Sequence, residues 1–196
     1  MAKKKVTKKN TEKKTNIAVV IDRSGSMSGI WQSALDGLNE TINGFRKDAG
    51  LGGDTSLSVV AFDNHIELLV EAAPADMFPE FTVEDVAPGG TTALYDAVKL
   101  AIETIGNTDE TDDTGYLVTV ISDGHENASS TTQEEISKLI KDLEATGKWT
   151  FNFMLANQDI RKFADLMNIP LGNVAAFAAT SDGMTKGFDN LRSANA

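Results

Sequence analysis

The sequence predicts one α/β domain, with a mostly parallel central sheet wound in both directions and helices on both faces. Short apolar segments alternate with amphipathic segments of helical length, which is typical of this class. Two of the short segments, 17–21 and 116–121, are apolar on both faces, as buried parallel strands are. The chain of 196 residues, 41% of them hydrophobic, is long enough to form a substantial core.

The first half of the chain contains three predicted strands and a helix. A strand over 17–21 precedes a helix whose apolar stripe has the spacing of successive turns. Its members are Trp31, Leu35, Leu38, Ile42 and Phe45. Strands over 57–62 and 66–70 are separated by three residues, so we expect a hairpin and an antiparallel strand at the sheet edge. Trp31 begins the stripe and is expected in the core.

The second half continues the alternation of helix and strand. Segment 74–90, with three of the four prolines, is predicted to be irregular. In order, the elements after it are a helix from near Thr92 to Gly106, a strand over 116–121, a helix capped by Thr131 or Thr132 and ending at Gly147, a strand over 149–155, a helix over 160–167, a strand over 174–179, and a terminal helix capped by Ser181 or Asp182. Neither an internal repeat nor a second domain is indicated.

Composition excludes several kinds of site. Without cysteine there is no disulfide, zinc–thiolate site or iron–sulfur cluster, and two histidines make a histidine-rich centre improbable. Any bound metal is therefore expected to be a hard cation held by oxygen. No apolar run reaches eighteen residues and none follows the basic start, so we expect no membrane span, no secretory signal and a cytoplasmic location.

The charge is distributed unevenly along the chain. Residues 1–15 contain seven lysines and Glu12, a local charge of +6, so a net charge of −11 leaves −17 on residues 16–196. We expect residues 1–15 to form a disordered tail and residues 16–196 to form the domain. The acidic domain repels nucleic acid, so contact with nucleic acid would involve only the tail.

Two carboxylates mark the predicted binding end of the sheet. The strand over 17–21 runs into Asp22, and the strand over 116–121 runs through Ser122 into Asp123. Ligands of doubly wound sheets bind beyond the carboxyl ends of the strands, where the winding direction reverses. An aspartate at a strand end is ordinarily a turn former, and Asp63 in the predicted hairpin is fully explained in that way.

The residues after Asp22 favour a metal site. Asp22, Ser24 and Ser26 carry oxygens at alternate positions, and Gly25 allows a tight bend that turns them towards one point. A sparse oxygen site with two carboxylates suits Mg²⁺, which keeps several waters, better than Ca²⁺. The glycine-rich turn over 89–92 can deliver a further hydroxyl just before a helix.

Three segments together resemble a von Willebrand factor A domain. They are Asp22-Arg23-Ser24-Gly25-Ser26-Met27, Gly90-Thr91-Thr92-Ala93-Leu94 and Ile121-Ser122-Asp123-Gly124. The resemblance covers about residues 16–193 and is to the small single-domain members found in bacteria and their phages. It implies a Rossmann-like, doubly wound sheet of six strands with one antiparallel edge strand, and a metal-ion-dependent adhesion site (MIDAS).

The resemblance also implies a ligand set and a function. The metal ligands would be Asp22, Ser24, Ser26, Thr92 and Asp123. Thr91 is the alternative to Thr92, which is preferred because it directly precedes the Ala-Leu helix start. The cation would be Mg²⁺, with Mn²⁺ or Ca²⁺ as alternatives, and it would bridge to an Asp or Glu of a protein partner. The rim that meets the partner is predicted to comprise Arg23, Ile30, Thr91, His125, Glu126 and Asn127.

Other classes of function fit the residues less well. A metal-dependent phosphohydrolase would need a second acid two residues after Asp22, where Ser24 stands. A serine hydrolase is disfavoured because Ser26 lies in Gly-Ser-Met-Ser-Gly, which lacks the nucleophile-elbow pattern. We therefore expect no enzymatic activity. A scaffold that acts through the basic tail is the remaining alternative. The sequence indicates neither the partner's identity nor the oligomeric state.

Overall fold

A computed structural model describes residues 14–49, 54–107, 113–123, 126–156 and 158–177. The strands are β1 (Lys14–Asp22), β2 (Asp54–Phe62), β3 (Ile66–Pro74), β4 (Thr114–Ser122), β5 (Trp149–Ala156) and β6 (Val174–Phe177). The helices are α1 (Trp31–Ala49), α2 (Leu94–Gly106), α3 (Gln133–Glu144) and α4 (Ile160–Met167). Lys14 and Thr15, which were predicted to belong to the tail, are instead the first residues of β1, where they pair with β2 and β4. The rest of the predicted tail and the predicted terminal helix lie outside the described residues.

The six strands form one sheet in the order β3-β2-β1-β4-β5-β6. All neighbours are parallel except β2 and β3, which form the antiparallel edge pair. The predicted fold class is therefore confirmed. The chain winds outwards from β1 to β2 on one side and from β4 to β5 and β6 on the other. The winding direction thus reverses between β1 and β4, and the carboxyl ends of these two strands mark the expected binding position.

Helices cover both faces of the sheet. On one face α1 packs on the strands with side chains of segment 75–88, namely Phe78, Phe81 and Val86. On the other face α2, α3 and α4 pack on the sheet in a second apolar cluster, which includes the phenylalanines of β5. The strands between them are buried on both faces. Removal of their apolar side chains from water is the main contribution to the stability of the fold.

Segment 75–88 runs antiparallel to α1 and is tied to it by side-chain hydrogen bonds. Asn39 makes two bonds of 2.8 Å with the backbone N–H and C=O of Phe81. The indole Nε1 of Trp31 donates to Val86 O at 3.1 Å, and Arg46 donates to Phe78 O. Trp31 is buried, as predicted. These bonds fix an irregular segment that leads directly into the glycine-rich turn.

Local boundaries differ modestly from those predicted. Thr132 is the N-cap of α3 and forms a capping box with Glu135, so it takes the position for which Thr131 was the alternative. Helix α3 ends at Glu144 rather than at Gly147, which lies in the following turn with φ of 71°. The C-cap of α3 is Ala145, and the positive φ of Gly147 is used in the turn that follows the helix. Within the described residues no helix is both long and apolar enough to cross a bilayer.

Candidate metal centre

The carboxylate of Asp22, at the end of β1, is held by hydrogen bonds from Ser24 and Ser122. Ser24 N donates to Oδ1 at 2.7 Å, and Ser122 Oγ donates to Oδ2 at 2.6 Å. Asp22 and Ser122 are both 0% exposed. Because β1 lies between β2 and β4 in the middle of the sheet, the side chain at its end lies among the loops that follow all three strands.

Asp123 follows β4 and is 7% exposed. Burial raises the pKa of Asp22 above its ordinary value, and the negative charge of Asp123 adds to this increase. Hydrogen bonds from Ser122 and Ser24 act in the opposite direction. Two neighbouring carboxyl groups that are costly to ionise together form an environment that a divalent cation stabilises.

The first loop brings two hydroxyls together. Ser24 Oγ and Ser26 Oγ are 3.0 Å apart and hydrogen-bonded. Ser24 is almost fully buried, whereas Ser26 is exposed at the surface. Met27, buried in the core, anchors the turn, and its N–H donates to Ser24 O. The side-chain oxygens of this loop therefore extend from the buried Asp22 carboxylate to the exposed Ser26 hydroxyl.

The glycine-rich turn is docked against this first loop. Gly89 N donates to Arg23 O at 2.7 Å, and Gly25 N donates to Gly90 O at 3.1 Å. Gly90 has φ of 70°, and a Cβ there would lie 2.1 Å from Asn64 Oδ1 in the β2–β3 turn. Only glycine fits this position, because both the conformation and the close approach exclude a side chain.

The two candidate threonines differ in exposure. Thr92 is 2% exposed, whereas Thr91 lies at the surface next to Gly90. The Thr92 backbone pairs with Asn127: Thr92 N donates to Asn127 Oδ1 at 2.8 Å, and Asn127 N donates to Thr92 O at 3.0 Å. The loop after β4 thus fixes the backbone of Thr92.

The same loop caps α2. Ser129 Oγ accepts from Tyr95 N and Asp96 N, and Glu126 Oε2 accepts from Tyr95 N. In return, Asp96 accepts from the backbone N–H groups of Ser130 and Thr131. Helix α2 has no side-chain cap of its own, so the N–H groups of its first turn are satisfied by residues about thirty positions further along the chain.

The predicted rim residues have several different environments. Arg23 pairs with Asp63 at 3.4 Å and with Glu67 at 2.8 Å, and its side chain is only 15% exposed. Ile30 is half-buried against the core. Glu126 and Asn127 use side-chain oxygens for the internal bonds described above. Thr91 is exposed, and His125 lies outside the described residues.

Sequence reasoning assigned no role to Ser122 and did not foresee the capping role of Ser129. The bond from Ser122 to Asp22 follows from the pairing of β1 with β4, which the sequence does not give directly. The contacts bring together Asp22, Ser24 and Ser26, and the charge of Asp123 acts on Asp22. These carboxylates and neutral hydroxyls, without nitrogen or sulfur, are the ligand types that hard divalent cations prefer. Among the described residues, no group of three or more His, Cys, Asp or Glu is arranged to hold a metal.

The molecule thus belongs to the class of doubly wound α/β domains, with a candidate cation site where the winding of the sheet reverses. The sequence matches the family model of the von Willebrand factor type A domain over residues 17–126, and the chain belongs to this family. No curated protein matches it significantly.

Several solved structures share the fold. Proximal thread matrix protein 1 from the mussel byssus, with a zinc-occupied MIDAS motif, gives a TM-score of 0.64 at 14% identity, covering 92% of this chain and 45% of the mussel chain. The pilus adhesin SpaC from Lactobacillus rhamnosus GG gives 0.69 at 14% identity, covering 93% of this chain and 30% of SpaC. A von Willebrand factor type A protein from Catenulispora acidiphila gives 0.65 at 14% identity, covering 92% of this chain and 42% of that protein.

At 14% sequence identity, these three structures show a similarity of fold alone. The chain spans less than half the length of each of these three proteins.

Proposed function

We propose that this domain binds a protein partner through a divalent cation. The ligands are Asp22, Ser24, Ser26, Thr92 and Asp123, with Thr91 as the alternative to Thr92. The observation that carries the proposal is the junction at Asp22. There a buried carboxylate, raised in pKa by burial and by Asp123, lies beside a pair of bonded serine hydroxyls.

Mg²⁺ is the proposed cation. It prefers oxygen ligands and keeps several waters, which suits a site with few protein ligands. Mn²⁺ has similar preferences and is a useful probe, and Ca²⁺ is a third candidate. The zinc reported in the mussel protein makes Zn²⁺ a necessary comparison in any binding experiment.

The partner is proposed to provide an Asp or Glu carboxylate. Residues 16–196 carry a charge of −17 and repel an acidic group unless a cation lies between the two surfaces. A cation bound by two carboxylates and neutral hydroxyls keeps positions for exchangeable ligands. One of these positions would accept the partner's carboxylate, so association would require the metal.

The proposed activity is binding without chemistry. Two residues after Asp22, where a phosphohydrolase would place an acid, stands Ser24, which already bonds to Asp22 and Ser26. One protein of similar fold is a pilus adhesin, which supports an interaction role. Turnover of phosphomonoesters or carboxylic esters that is lost in Asp22→Asn would contradict this part of the proposal.

Metal-dependent thermal stability tests the proposal. A cation at a hundredfold its dissociation constant adds about 2.7 kcal/mol, which raises the melting temperature of a domain this size by about 5–10 °C. Wild type should show this shift with Mg²⁺ or Mn²⁺ and lose it with chelator. Asp22→Asn should show no shift, whereas Asp85→Asn, which removes an exposed carboxylate of segment 75–88, should behave as wild type. Equal shifts in wild type and Asp22→Asn would refute the proposed site.

A further inference from the structure

We propose that Ser122 is a positioning residue of the metal centre. Its hydroxyl holds the Asp22 carboxylate in the orientation in which the cation is bound. This inference rests on the proposed function. It assigns a role to a buried side chain that is not among the proposed ligands.

Strand pairing places Ser122 beside Asp22. The parallel register of β1 and β4 runs through the pair Ile21 and Ile121, so Asp22 and Ser122 occupy the next position on each strand. Side chains at neighbouring positions of paired strands point to the same side of the sheet. The central sheet, rather than a mobile loop, therefore sets the distance between the hydroxyl and the carboxylate.

The contact has the geometry of a strong hydrogen bond. Ser122 Oγ lies 2.6 Å from Asp22 Oδ2, within the range for a hydroxyl donating to a carboxylate. Ser24 N donates to the other oxygen, Oδ1. Because both carboxylate oxygens accept hydrogen bonds, the rotation of the carboxylate is fixed. Each oxygen still has a second lone pair with which it can face a cation or a metal-bound water.

Loss of the hydroxyl would affect metal binding more than folding. Without it, Oδ2 loses the donor that β4 provides, and the carboxylate is freer to turn about χ2 while Ser24 still holds Oδ1. Partners that orient a ligand in this way typically change metal affinity by about 10–100-fold when they are removed. A serine that merely satisfies its own hydrogen bond in the core would alter stability without altering metal affinity.

The experiment compares Mg²⁺ and Mn²⁺ affinities of the full chain by calorimetric titration, with stability measured separately in chelator. The variants are Ser122→Ala and the nearly isosteric pair Ser122→Thr and Ser122→Val, which differ in the hydroxyl. The matched control is Ser58→Ala. Ser58 lies in β2, is 2% exposed, and accepts from Ala72 N at 3.0 Å at the irregular β2–β3 pairing.

We expect Ser122→Ala to weaken metal affinity about 10–100-fold. Ser122→Thr should retain most of the affinity that Ser122→Val loses, and Ser58→Ala should keep wild-type affinity. If Ser122→Ala does not fold, the comparison of Thr with Val decides. Equal affinities for wild type and Ser122→Ala, or for the Thr and Val variants, would overturn the positioning role alone. Absence of metal binding by wild type would overturn both this inference and the proposed function.

Discussion

Asn127 and Thr92 are joined by two hydrogen bonds, in which the Asn127 side chain accepts from Thr92 N and the Asn127 backbone donates to Thr92 O. This pairing connects the loop after β4 to the glycine-rich turn before α2. Both loops follow the sheet on the side where Asp22 lies. Asn127 therefore fixes the backbone of Thr92, the proposed metal ligand, although its position in the sequence suggests a surface contact.

Replacing Asn127 by alanine should weaken metal binding. The variant leaves Thr92 N without its acceptor, so the turn that carries both threonines is held less firmly. We expect a loss of about 1–2 kcal/mol of stability in chelator and a smaller metal-induced rise in melting temperature. The control is Asn39→Ala, which removes two side-chain hydrogen bonds to the Phe81 backbone, far along segment 75–88. It should lose stability but keep the full metal response, and an equal loss of that response in both variants would contradict the prediction.

The choice between the two threonines can be decided by valine substitution, which removes the hydroxyl and keeps the shape. If Thr92 is the ligand, Thr92→Val should weaken Mg²⁺ affinity about tenfold or more, and Thr91→Val should have a much smaller effect. Calorimetric titration of both variants measures this difference. The reverse order of affinities would assign the metal contact to Thr91, the exposed member of the pair.

Asp96 should stabilise the fold in a pH-dependent way. Although desolvation raises the pKa of Asp96, hydrogen bonds from Thr131 and Ser130 outweigh it and lower the pKa below its ordinary value of 3.8. A lowered carboxyl pKa stabilises the native state above the unfolded-state pKa, and this contribution is lost as the pH falls through the lowered value.

Asp96→Asn should therefore cost about 1 kcal/mol at pH 7, allowing for solvent screening of a partly exposed group. The difference from wild type should shrink as the pH falls below about 4, because the carboxyl of the unfolded chain then takes up a proton before the native carboxylate does. Urea unfolding of both proteins between pH 3 and pH 7 measures the difference, with chelator present throughout. A difference that stays constant over this range would show that charge is not the cause.

Gly90 should tolerate no side chain. Gly90→Ala places a Cβ against Asn64 and forces alanine to a φ of 70°, so we expect a loss of about 1–3 kcal/mol. The neighbouring Gly89→Ala is the control, because a Cβ there would meet nothing within 4 Å. Adding Asn64→Ala should recover only the steric part of the loss, since the unfavourable φ remains. Equal stability of the two alanine variants would contradict this explanation.

Much of the fold was predictable from local patterns. The apolar runs of β1 and β4 show burial on both faces, and the three-residue connection between β2 and β3 allows only a hairpin. The end of α3 was predicted wrongly, because a glycine after a helical pattern can serve either as a helix cap or, as Gly147 does, in the following turn.

The candidate site was predictable where it depends on strand ends and not where it depends on pairing between distant segments. Asp22 and Asp123 follow two apolar runs, so the topology rule brings them together. Arg23 and Asn127 have the sequence appearance of surface residues, yet one is paired with Asp63 and Glu67 and the other with Thr92. A polar residue in a loop has the same pattern whether it faces solvent or a neighbouring loop, so contacts of this kind require the structure.

The most direct test of the central claim is a crystal structure of the full chain grown with saturating Mn²⁺, with anomalous scattering used to locate the metal. The account predicts one strong anomalous peak beside Asp22 and Asp123, bonded to the hydroxyls of Ser24 and Ser26 at about 2.0–2.2 Å, close to the distances of hard divalent cations. A saturated crystal with its only anomalous peaks elsewhere on the molecule would contradict the account.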